Sequence, residues 1–240
     1  MAKVTDVFVS GSVGNLIFYR RMGKNCARLK RVHLRQTVAT KKRGVNFGVA
    51  SRAGKALRSG LTAAMPIPTD RNMQNRFSGS IAKWRGLSDI DKLLPDEKVP
   101  FVSGLAFTKE QPFGERCKVP ITISQPDENT ISVSIEAFVP ALKISAPAGT
   151  QWITWIISVS ACHLENGRPS GRGTQQLEIS YNDVPVPAQV LEFEVGAPAG
   201  SLIVTAARLI YKKWQNNSWV AINKEAFMPA GVIDARYREA

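Results

Sequence analysis

The chain is organised around a pair of short runs, Leu16-Ile-Phe-Tyr19 and Cys26-Ala-Arg-Leu-Lys-Arg-Val-His33, joined by the connector Arg20-Arg-Met-Gly-Lys-Asn25. The first run is rich in strand formers and the connector contains a glycine, so the pattern predicts a β-hairpin. On its second arm Arg28 and Lys30 are expected to share one face of the strand. A two-stranded ribbon that carries cations can lie along phosphates, although a lone hairpin needs support from neighbouring structure.

A long stretch of one charge sign surrounds this hairpin. Between Val7 and Thr69 the sequence contains no Asp or Glu. It contains thirteen basic residues, which we predict to be the nucleic-acid-binding residues: Arg20, Arg21, Lys24, Arg28, Lys30, Arg31, Arg35, Lys41, Lys42, Arg43, Arg52, Lys55 and Arg58. The alternative for such a run is a solvated basic face with no partner.

The charge is confined to one part of the chain. The whole chain has a formal net charge of +13, whereas residues 99–240 contain twelve basic and thirteen acidic residues. Residues 1–98 therefore carry all of the excess, a net of +14. An asymmetry of this kind indicates a polyanionic partner, either nucleic acid or an anionic membrane surface. With 240 residues, two domains are expected, a basic module at 1–98 and a β-rich domain at 99–240.

Two helices are predicted in the basic module. An apolar stripe recurs at spacings of three and four, which predicts a helix from Gly44 to Met65 that Pro66 and Pro68 end. Its members are Phe47, Ala50, Ala53 or Gly54, Leu57, Leu61 and Ala64. The four glycines of this helix suggest either close packing or a break. A second helix is predicted from Thr69 or Asp70 to Arg85. Its apolar stripe is expected to pack in a core rather than to stack on bases: Met73, Phe77, Ile81 and Trp84.

The remainder of the chain has the pattern of an antiparallel β domain, with turn-forming residues between short apolar runs. Eight strands are predicted: Phe101 to Thr108, Lys118 to Ser124, Thr130 to Phe138, Gln151 to Cys162, Thr174 to Tyr181, Gln189 to Val195, Ser201 to Trp214 and Trp219 to Ile222. This number of strands favours an immunoglobulin-like sandwich. The predicted fold class is therefore α+β, an N-terminal basic β-hairpin plus two helices followed by an all-β immunoglobulin-like sandwich.

The usual signatures of an enzyme or a metal protein are absent from the sequence. There is no P-loop, no GxGxxG turn leading into a helix and no HExxH motif. Cys162 and His163 are adjacent on a predicted strand, so their side chains point to opposite faces and cannot act on each other. Three widely spaced cysteines indicate a reducing compartment. We therefore expect a soluble, cytoplasmic, non-enzymatic protein without a cofactor, a metal or a membrane span.

Several motifs resemble those of a family of uncharacterised Bacteroidota proteins. They are Gly11-Ser-Val-Gly-Asn-Leu-Ile-Phe-Tyr19, Gly23-Lys-Asn-Cys-Ala-Arg28 and Phe47-Gly-Val-Ala-Ser-Arg-Ala-Gly-Lys-Ala-Leu57. The resemblance covers nearly the whole chain and implies a glycine-rich basic N-terminal segment followed by a β-rich domain. This chain has Asn46 where the family pattern has an acid before the Phe. The resemblance implies no activity, because no function is assigned to the family.

Charge and architecture together predict sequence-nonspecific binding of DNA or RNA through phosphates, with a sandwich that mediates contacts to a protein or to a second copy. One alternative is a structural subunit of a particle or surface filament, in which the N-terminal segment packs on a neighbouring copy. Another is a carbohydrate-binding sandwich that presents exposed tryptophans, for which the candidates are Trp152, Trp155, Trp214 and Trp219.

Overall fold

The computed structural model describes residues 3–5, 8–30, 36–64, 72–87, 97–108, 112–127, 129–222 and 227–239. The chain is α+β, with 25% helix and 45% strand. It divides into two compact units, Met1–Lys42 and Arg43–Ala240.

The first unit contains a four-stranded antiparallel sheet whose strands follow one another in chain order. These are β1 (Lys3–Thr5), β2 (Phe8–Val13), β3 (Leu16–Arg21) and β4 (Lys24–Leu29). The predicted hairpin is β3–β4, and its loop is Met22-Gly23 with φ of 49° and 78°. Positive φ at both positions is typical of the type I′ turn, whose twist matches that of the strands it joins.

Two helices follow. Helix α1 is one continuous element, Val38–Ala64, so the division between the two units falls within it. It begins six residues before the predicted start because Thr37 caps it: the Thr37 hydroxyl accepts from the Thr40 amide at 3.2 Å. Helix α2 is Met73–Leu87.

The predicted helix stripes are largely confirmed. Met73, Phe77, Ile81 and Trp84 of α2 are all buried, as their spacing indicates. On α1 the buried residues are Val49, Ala50, Ala53, Leu57 and Leu61. Phe47 was expected in this stripe, but it is 53% exposed. Val49 takes its place because the buried face of the helix is centred between Ala50 and Ala53, which leaves Phe47 at its margin.

The second unit is built on a long antiparallel sheet in the order β5–β13–β11–β8–β9, with β12 paired to β11. Its strands are β5 (Glu97–Lys98), β8 (Trp152–His163), β9 (Pro169–Ser180), β11 (Ser201–Gln215), β12 (Ser218–Ala221) and β13 (Ala230–Tyr237). A smaller sheet has the order β10–β7–β6, with β6 (Ile121–Ser124), β7 (Thr130–Ile135) and β10 (Gln189–Glu194). Two four-residue helices, α3 (Phe113–Arg116) and α4 (Pro140–Lys143), lie between strands in the chain.

The central strands β8 and β11 are covered on both faces. Ile156 and Cys162 of β8 belong to a core with α1 and α2, whereas Ile153, Trp155 and Ile157 belong to a second core with the smaller sheet. Burial on both sides explains why Ile153 to Ala161 carries no charged residue. The side toward the small sheet is entirely apolar, and the side toward the helices has Ile156 with the small polar residues Thr154, Ser158 and Ser160. Helices, long sheet and small sheet therefore form three layers.

Close packing of the helices explains the glycines of α1. A Cβ atom at Gly60 would lie 3.0 Å from the Ser160 Cβ atom and closer still to its hydroxyl. A Cβ atom at Gly54 would lie 2.9 Å from the Ser78 hydroxyl. Gly60 thus lets α1 approach β8, and Gly54 lets α1 approach α2.

Two of the departures from the predicted strands affect the core of the second unit. Phe101 to Thr108 is not a strand: the chain turns at Gly104, with φ of 80°, and buries Val102 and Phe107 in the helix-side core. Its apolar residues are explained by this burial rather than by alternation. Strand β13 was not predicted, and it pairs with β11 along most of its length.

The compact units also differ from the division at residue 98 that the charge distribution predicts. The helices α1 from Arg43 onward and α2 share one core with β8, β11 and β13. Net charge indicates which charged partners a surface can attract. It does not indicate which apolar faces of the chain pack together in the core. The acidic segment from Leu87 to Pro100, which spans the predicted division at residue 98, lies mostly outside the described residues.

Candidate nucleic-acid interface

The β3–β4 hairpin sorts its cations onto one face. The register pairs Arg21 with Lys24, Tyr19 with Cys26 and Ile17 with Arg28. Because directly paired residues of an antiparallel ladder point to the same side, Arg21, Lys24 and Arg28 share a face. We call this the cationic face. Arg21, Lys24 and Arg28 are all exposed.

Tyr19 belongs to the cationic face as well. The Arg28 guanidinium lies over its ring, 5.7 Å from the centroid, which is within range of a cation–π contact. Sequence reasoning singled out Arg28 but not Tyr19. Alternation along Leu16-Ile-Phe-Tyr-Arg-Arg21 places Tyr19 and Arg21 on one side, so that pattern could have found it.

The other face of the hairpin is apolar. Leu16 and Leu29 are paired across it, and Val13 of β2 is paired with Leu16. These three side chains are 39%, 70% and 52% exposed, respectively. Arg20, one of the predicted binding residues, is on this side, and its Nε donates to the Gly23 carbonyl at 3.3 Å. The structure therefore separates Arg20 from Arg21, Lys24 and Arg28.

Three further predicted binding residues of the first unit, Lys30, Lys41 and Lys42, are exposed to solvent. Lys30 follows β4, and its backbone amide donates to the Asn15 carbonyl. Its side chain is exposed. Lys41 and Lys42 are exposed in the first turns of α1. Arg31 and Arg35 lie outside the described residues.

Four predicted residues belong to the second unit. Arg43 and Lys55 are exposed on α1. Arg52 is exposed too, and its Nη2 donates to the Glu165 carbonyl at 3.3 Å. Arg58 is half-buried: its Nε donates to the Gly54 carbonyl at 3.1 Å, and burial lowers the pKa of its guanidinium. Arg58 is thus the least accessible of the described cations in the set.

The described cations of this set are not neutralised by the carboxylates that the structure describes. Within the described ranges, none of the eleven visible members of the set forms an ion pair with a carboxylate. Like charges directly opposite each other in a sheet destabilise it, and Arg21 and Lys24 are in that relationship. An anion that binds between them would relieve the repulsion.

The structure also bears on three other possibilities: a nucleophilic cysteine, a metal site and a membrane-spanning helix. Cys162 is buried, and burial raises the pKa of its thiol to about 12, which disfavours the thiolate that nucleophilic attack requires. Burial likewise raises the pKa of Cys117 to about 11. In the part of the chain that the structure describes, no group of three or more His, Cys, Asp or Glu side chains could hold a metal ion. No described helix has the length and apolar character needed to cross a bilayer.

Comparisons with known proteins add little to this geometry. No protein-family model matches the chain, and no curated protein matches it. Among solved structures, it is similar to a glycosyl hydrolase family 2 member from Bacteroides cellulosilyticus, with a TM-score of 0.24 and 13% identity over 49% of this chain. It is also similar to a protein from Archaeoglobus fulgidus, with a TM-score of 0.22 and 7% identity over 51% of this chain and 95% of the other. The chain spans only 13% of the glycosyl hydrolase chain, and likenesses this distant carry no argument about function.

Proposed function

We propose that this chain is a non-enzymatic protein that binds nucleic acid without sequence specificity, through phosphate contacts from its basic N-terminal segment. The observation that carries the proposal is the cationic face, where Arg21 and Lys24 are directly paired, neither forms an ion pair with a described carboxylate, and Arg28 lies on the same face. A row of fixed phosphates supplies the negative charge that this face lacks. Contacts of this kind position a protein on the backbone and do not read the bases.

Location and partner contacts form part of the same proposal. A cytoplasmic setting is consistent with Cys26, Cys117 and Cys162 being free thiols. An immunoglobulin-like arrangement of the β-rich part, used for protein contacts, is likewise our proposal. The small sheet on the long sheet is the feature that favours it.

Salt dependence of binding by the whole protein tests the proposal. If six to ten cations neutralise phosphates of duplex DNA, a log–log plot of affinity against salt should have a slope of about −5 to −9. Removal of residues 1–98 would be a poor test, because it would strip α1 and α2 from the core they share with β8 and β11. Substitution of surface charges in the full chain avoids this problem.

The decisive variant replaces Arg21, Lys24 and Arg28 with Gln. We expect it to bind more weakly and to have a slope shallower by about 3, since each lost phosphate contact removes about 0.9. A control with the same change in net charge replaces Lys118, Lys143 and Arg168, exposed residues of the other unit, and should leave the slope nearly unchanged. Absence of binding at low salt, or equal effects of both triple variants, would refute the proposal.

A second function is favoured by the opposite face of the same hairpin. Val13, Leu16 and Leu29 form an exposed apolar surface, and no described side chain of the strands in this unit is buried. A sheet with no covered face gains little from the hydrophobic effect until another surface packs on it. We propose, as the alternative, an assembly subunit in which this sheet packs on a neighbouring copy. Sedimentation at high salt without nucleic acid tests it, and Leu29→Ser should abolish any concentration-dependent association.

A further inference from the structure

Part of the long sheet is left uncovered on the side where the helices pack. Along β8, the side chains on this side run from Cys162 through Ser160 and Ile156 to Thr154 and Trp152. The helices cover the first part, since Cys162 and Ile156 belong to their core and Ser160 is in contact range of Gly60. Beyond Ile156 the same side of the sheet carries a cluster of tryptophans.

Strand register brings three tryptophans together. Trp152 is paired with Lys212, and Trp214 follows Lys212 by two residues, so both rings are on one side. Trp219 of β12 is paired directly with Trp214. The Trp219 ring centroid lies 5.4 Å from that of Trp152 and 5.3 Å from that of Trp214. We call these three side chains the tryptophan surface.

The tryptophan surface is open to solvent. Trp214 is 50% exposed and Trp219 is 45% exposed, while Trp152 is half-buried. A two-residue turn holds the pair in place, because Asn216 and Asn217 have φ of 51° and 60°, as a type I′ hairpin requires. Cross-strand packing accounts for the contact between Trp214 and Trp219. It does not account for the exposure of so much aromatic area, which in a soluble protein marks an interaction site.

A fixed carboxylate adjoins the tryptophan surface. The Glu178 carboxylate accepts from the Trp152 indole nitrogen at 2.5 Å and from the Thr154 hydroxyl at 2.8 Å. Lys212 lies 3.4 Å from the same carboxylate. These donors hold Glu178 in one orientation, and its side chain remains 38% exposed. An oriented carboxylate beside an ammonium group offers both acceptors and donors to a hydroxyl-bearing ligand.

The geometry excludes two classes of ligand that exposed aromatics often bind. Centroid separations of 5.3 and 5.4 Å leave no cavity among the rings, so they do not enclose a quaternary ammonium group, and Lys212 would repel one. A nucleic acid strand needs a groove of positive charge beside its stacking rings, whereas Glu178 and Lys212 together are neutral. The ligand that fits is uncharged, flat and apolar on one face, and rich in hydroxyl groups at its edge.

We propose that the tryptophan surface binds an uncharged oligosaccharide of pyranose units. The apolar C–H face of one sugar ring would lie on the outward face of Trp219, with the Trp214 ring, inclined at 71° to it, against the edge of the same sugar. Its edge hydroxyls would donate to Glu178 and accept from Lys212. Trp155 was a candidate for such a platform from the sequence, but it is fully buried in the second core and takes no part. The site is independent of the basic segment and of the nucleic-acid proposal.

Intrinsic tryptophan fluorescence of the full chain tests the proposal, because soluble sugars do not absorb where indole does. We would titrate cellohexaose, xylohexaose, maltohexaose and chitohexaose in parallel. We expect saturable binding of at least one of them with a Kd on the order of 0.1 to 1 mM, since an open surface covers only one side of the ligand. Trp219→Ala should weaken that binding at least about tenfold, as expected for a central aromatic contact.

Two further variants make the result decisive. Trp219→Phe keeps the cross-strand aromatic pair and should weaken binding less than Trp219→Ala, with circular dichroism confirming that both variants fold. Leu142→Ala removes an exposed apolar side chain on α4 and should have no effect. No fluorescence change with any of the four sugars, or equal binding by Trp219→Ala, overturns the proposal. So does association of the protein with itself that Trp219→Ala abolishes, because a second copy would then be the occupant.

Discussion

Arg21 and Lys24 lie directly opposite each other across the β3–β4 hairpin, separated by only the two residues of its turn. A like-charge pair in this position opposes the fold of the free protein, while the same pair favours an anionic partner. Stability of the hairpin and affinity for nucleic acid should therefore respond in opposite directions to one substitution.

We expect Lys24→Glu to stabilise the hairpin and to weaken nucleic-acid binding. Replacement of repulsion by attraction across the strands should slow amide hydrogen exchange in β3 and β4 by about twofold to fivefold. Affinity for DNA at low salt should fall, and the salt slope should become shallower by about 1. Hydrogen exchange and fluorescence anisotropy measure the two effects on the same samples.

Asn25→Asp is a control for this prediction on the other face of the hairpin, and it changes the net charge by −1 rather than by the −2 of Lys24→Glu. It places an acid opposite Arg20, on the apolar face of the same hairpin. The hairpin should again be stabilised, but binding should weaken much less, because Arg20 does not share a face with Arg21 and Lys24. Equal losses of binding for the two variants would mean that the cationic face is not the site of contact.

Gly60 lies where α1 packs against Ser160 of β8. Gly60→Ala should lower the free energy of unfolding by about 1 to 3 kcal/mol, because the new methyl group would overlap Ser160 in a filled core. Gly44→Ala, in the same helix with open space around it, should raise stability by about 0.5 to 1 kcal/mol. Urea denaturation of both variants measures the contrast.

A second substitution separates overlap from other causes of instability at Gly60. In the Gly60→Ala background, Ser160→Gly removes the atoms that the new methyl group would meet. We expect this pair to be coupled, with the double variant more stable than the sum of the single effects. Additive effects would show that α1 does not press on β8 at this point.

The spacing of apolar residues predicted individual helices and strands better than it predicted which of these elements pack together. The spacing of Met73, Phe77, Ile81 and Trp84 identifies the buried side of α2 correctly, because a helix stripe is a local property. It does not reveal that Trp84 packs on Tyr237 of β13, 153 residues later in the chain (237 − 84). The charge distribution suggested the opposite, that the helices belong with the hairpin.

The candidate sites show the same limit. Alternation alone places Tyr19, Arg21, Lys24 and Arg28 on one face once the Met22-Gly23 turn sets the register. The tryptophan surface needs long-range pairing, since Trp152 meets Trp219 only because β8, β11 and β12 are neighbours. The sequence placed Trp155 among the candidates for exposure with Trp152, Trp214 and Trp219, because it does not tell which side of β8 the small sheet covers.

Stability should decline at alkaline pH, partly through Cys162. Burial raises the pKa of this thiol from 9.0 to about 12, so between these pH values the unfolded chain loses a proton that the folded chain keeps. The contribution is complete below about pH 9, and it is lost by about 1.4 kcal/mol per pH unit above that value. Cys162→Ala should make the decline shallower by about that amount.

Val159→Ala is the control for the alkaline measurement. It leaves a small cavity in the second core but removes no titratable group. Its unfolding free energy should be lower at every pH, with the wild-type dependence between pH 9 and 11 preserved. A Cys162→Ala variant with an unchanged slope would assign the alkaline loss to other groups, such as Cys117 and Tyr211, whose pKa values burial also raises.

Asn46 joins three elements, which predicts a specific order of stability among its variants. Its Nδ2 donates to the Ala82 carbonyl at 3.1 Å, and its Oδ1 accepts from Arg85 at 2.8 Å, which in turn donates to Glu165 at 2.7 Å. Asn46→Ala should lower the free energy of unfolding by about 1 to 3 kcal/mol, because it leaves these half-buried groups without their partners. Asn46→Asp loses the bond to Ala82 but keeps an acceptor for Arg85 and makes that bond charge-assisted, so it should retain most of the stability. Urea denaturation distinguishes the two, and equal losses would show that the acceptor for Arg85 contributes nothing.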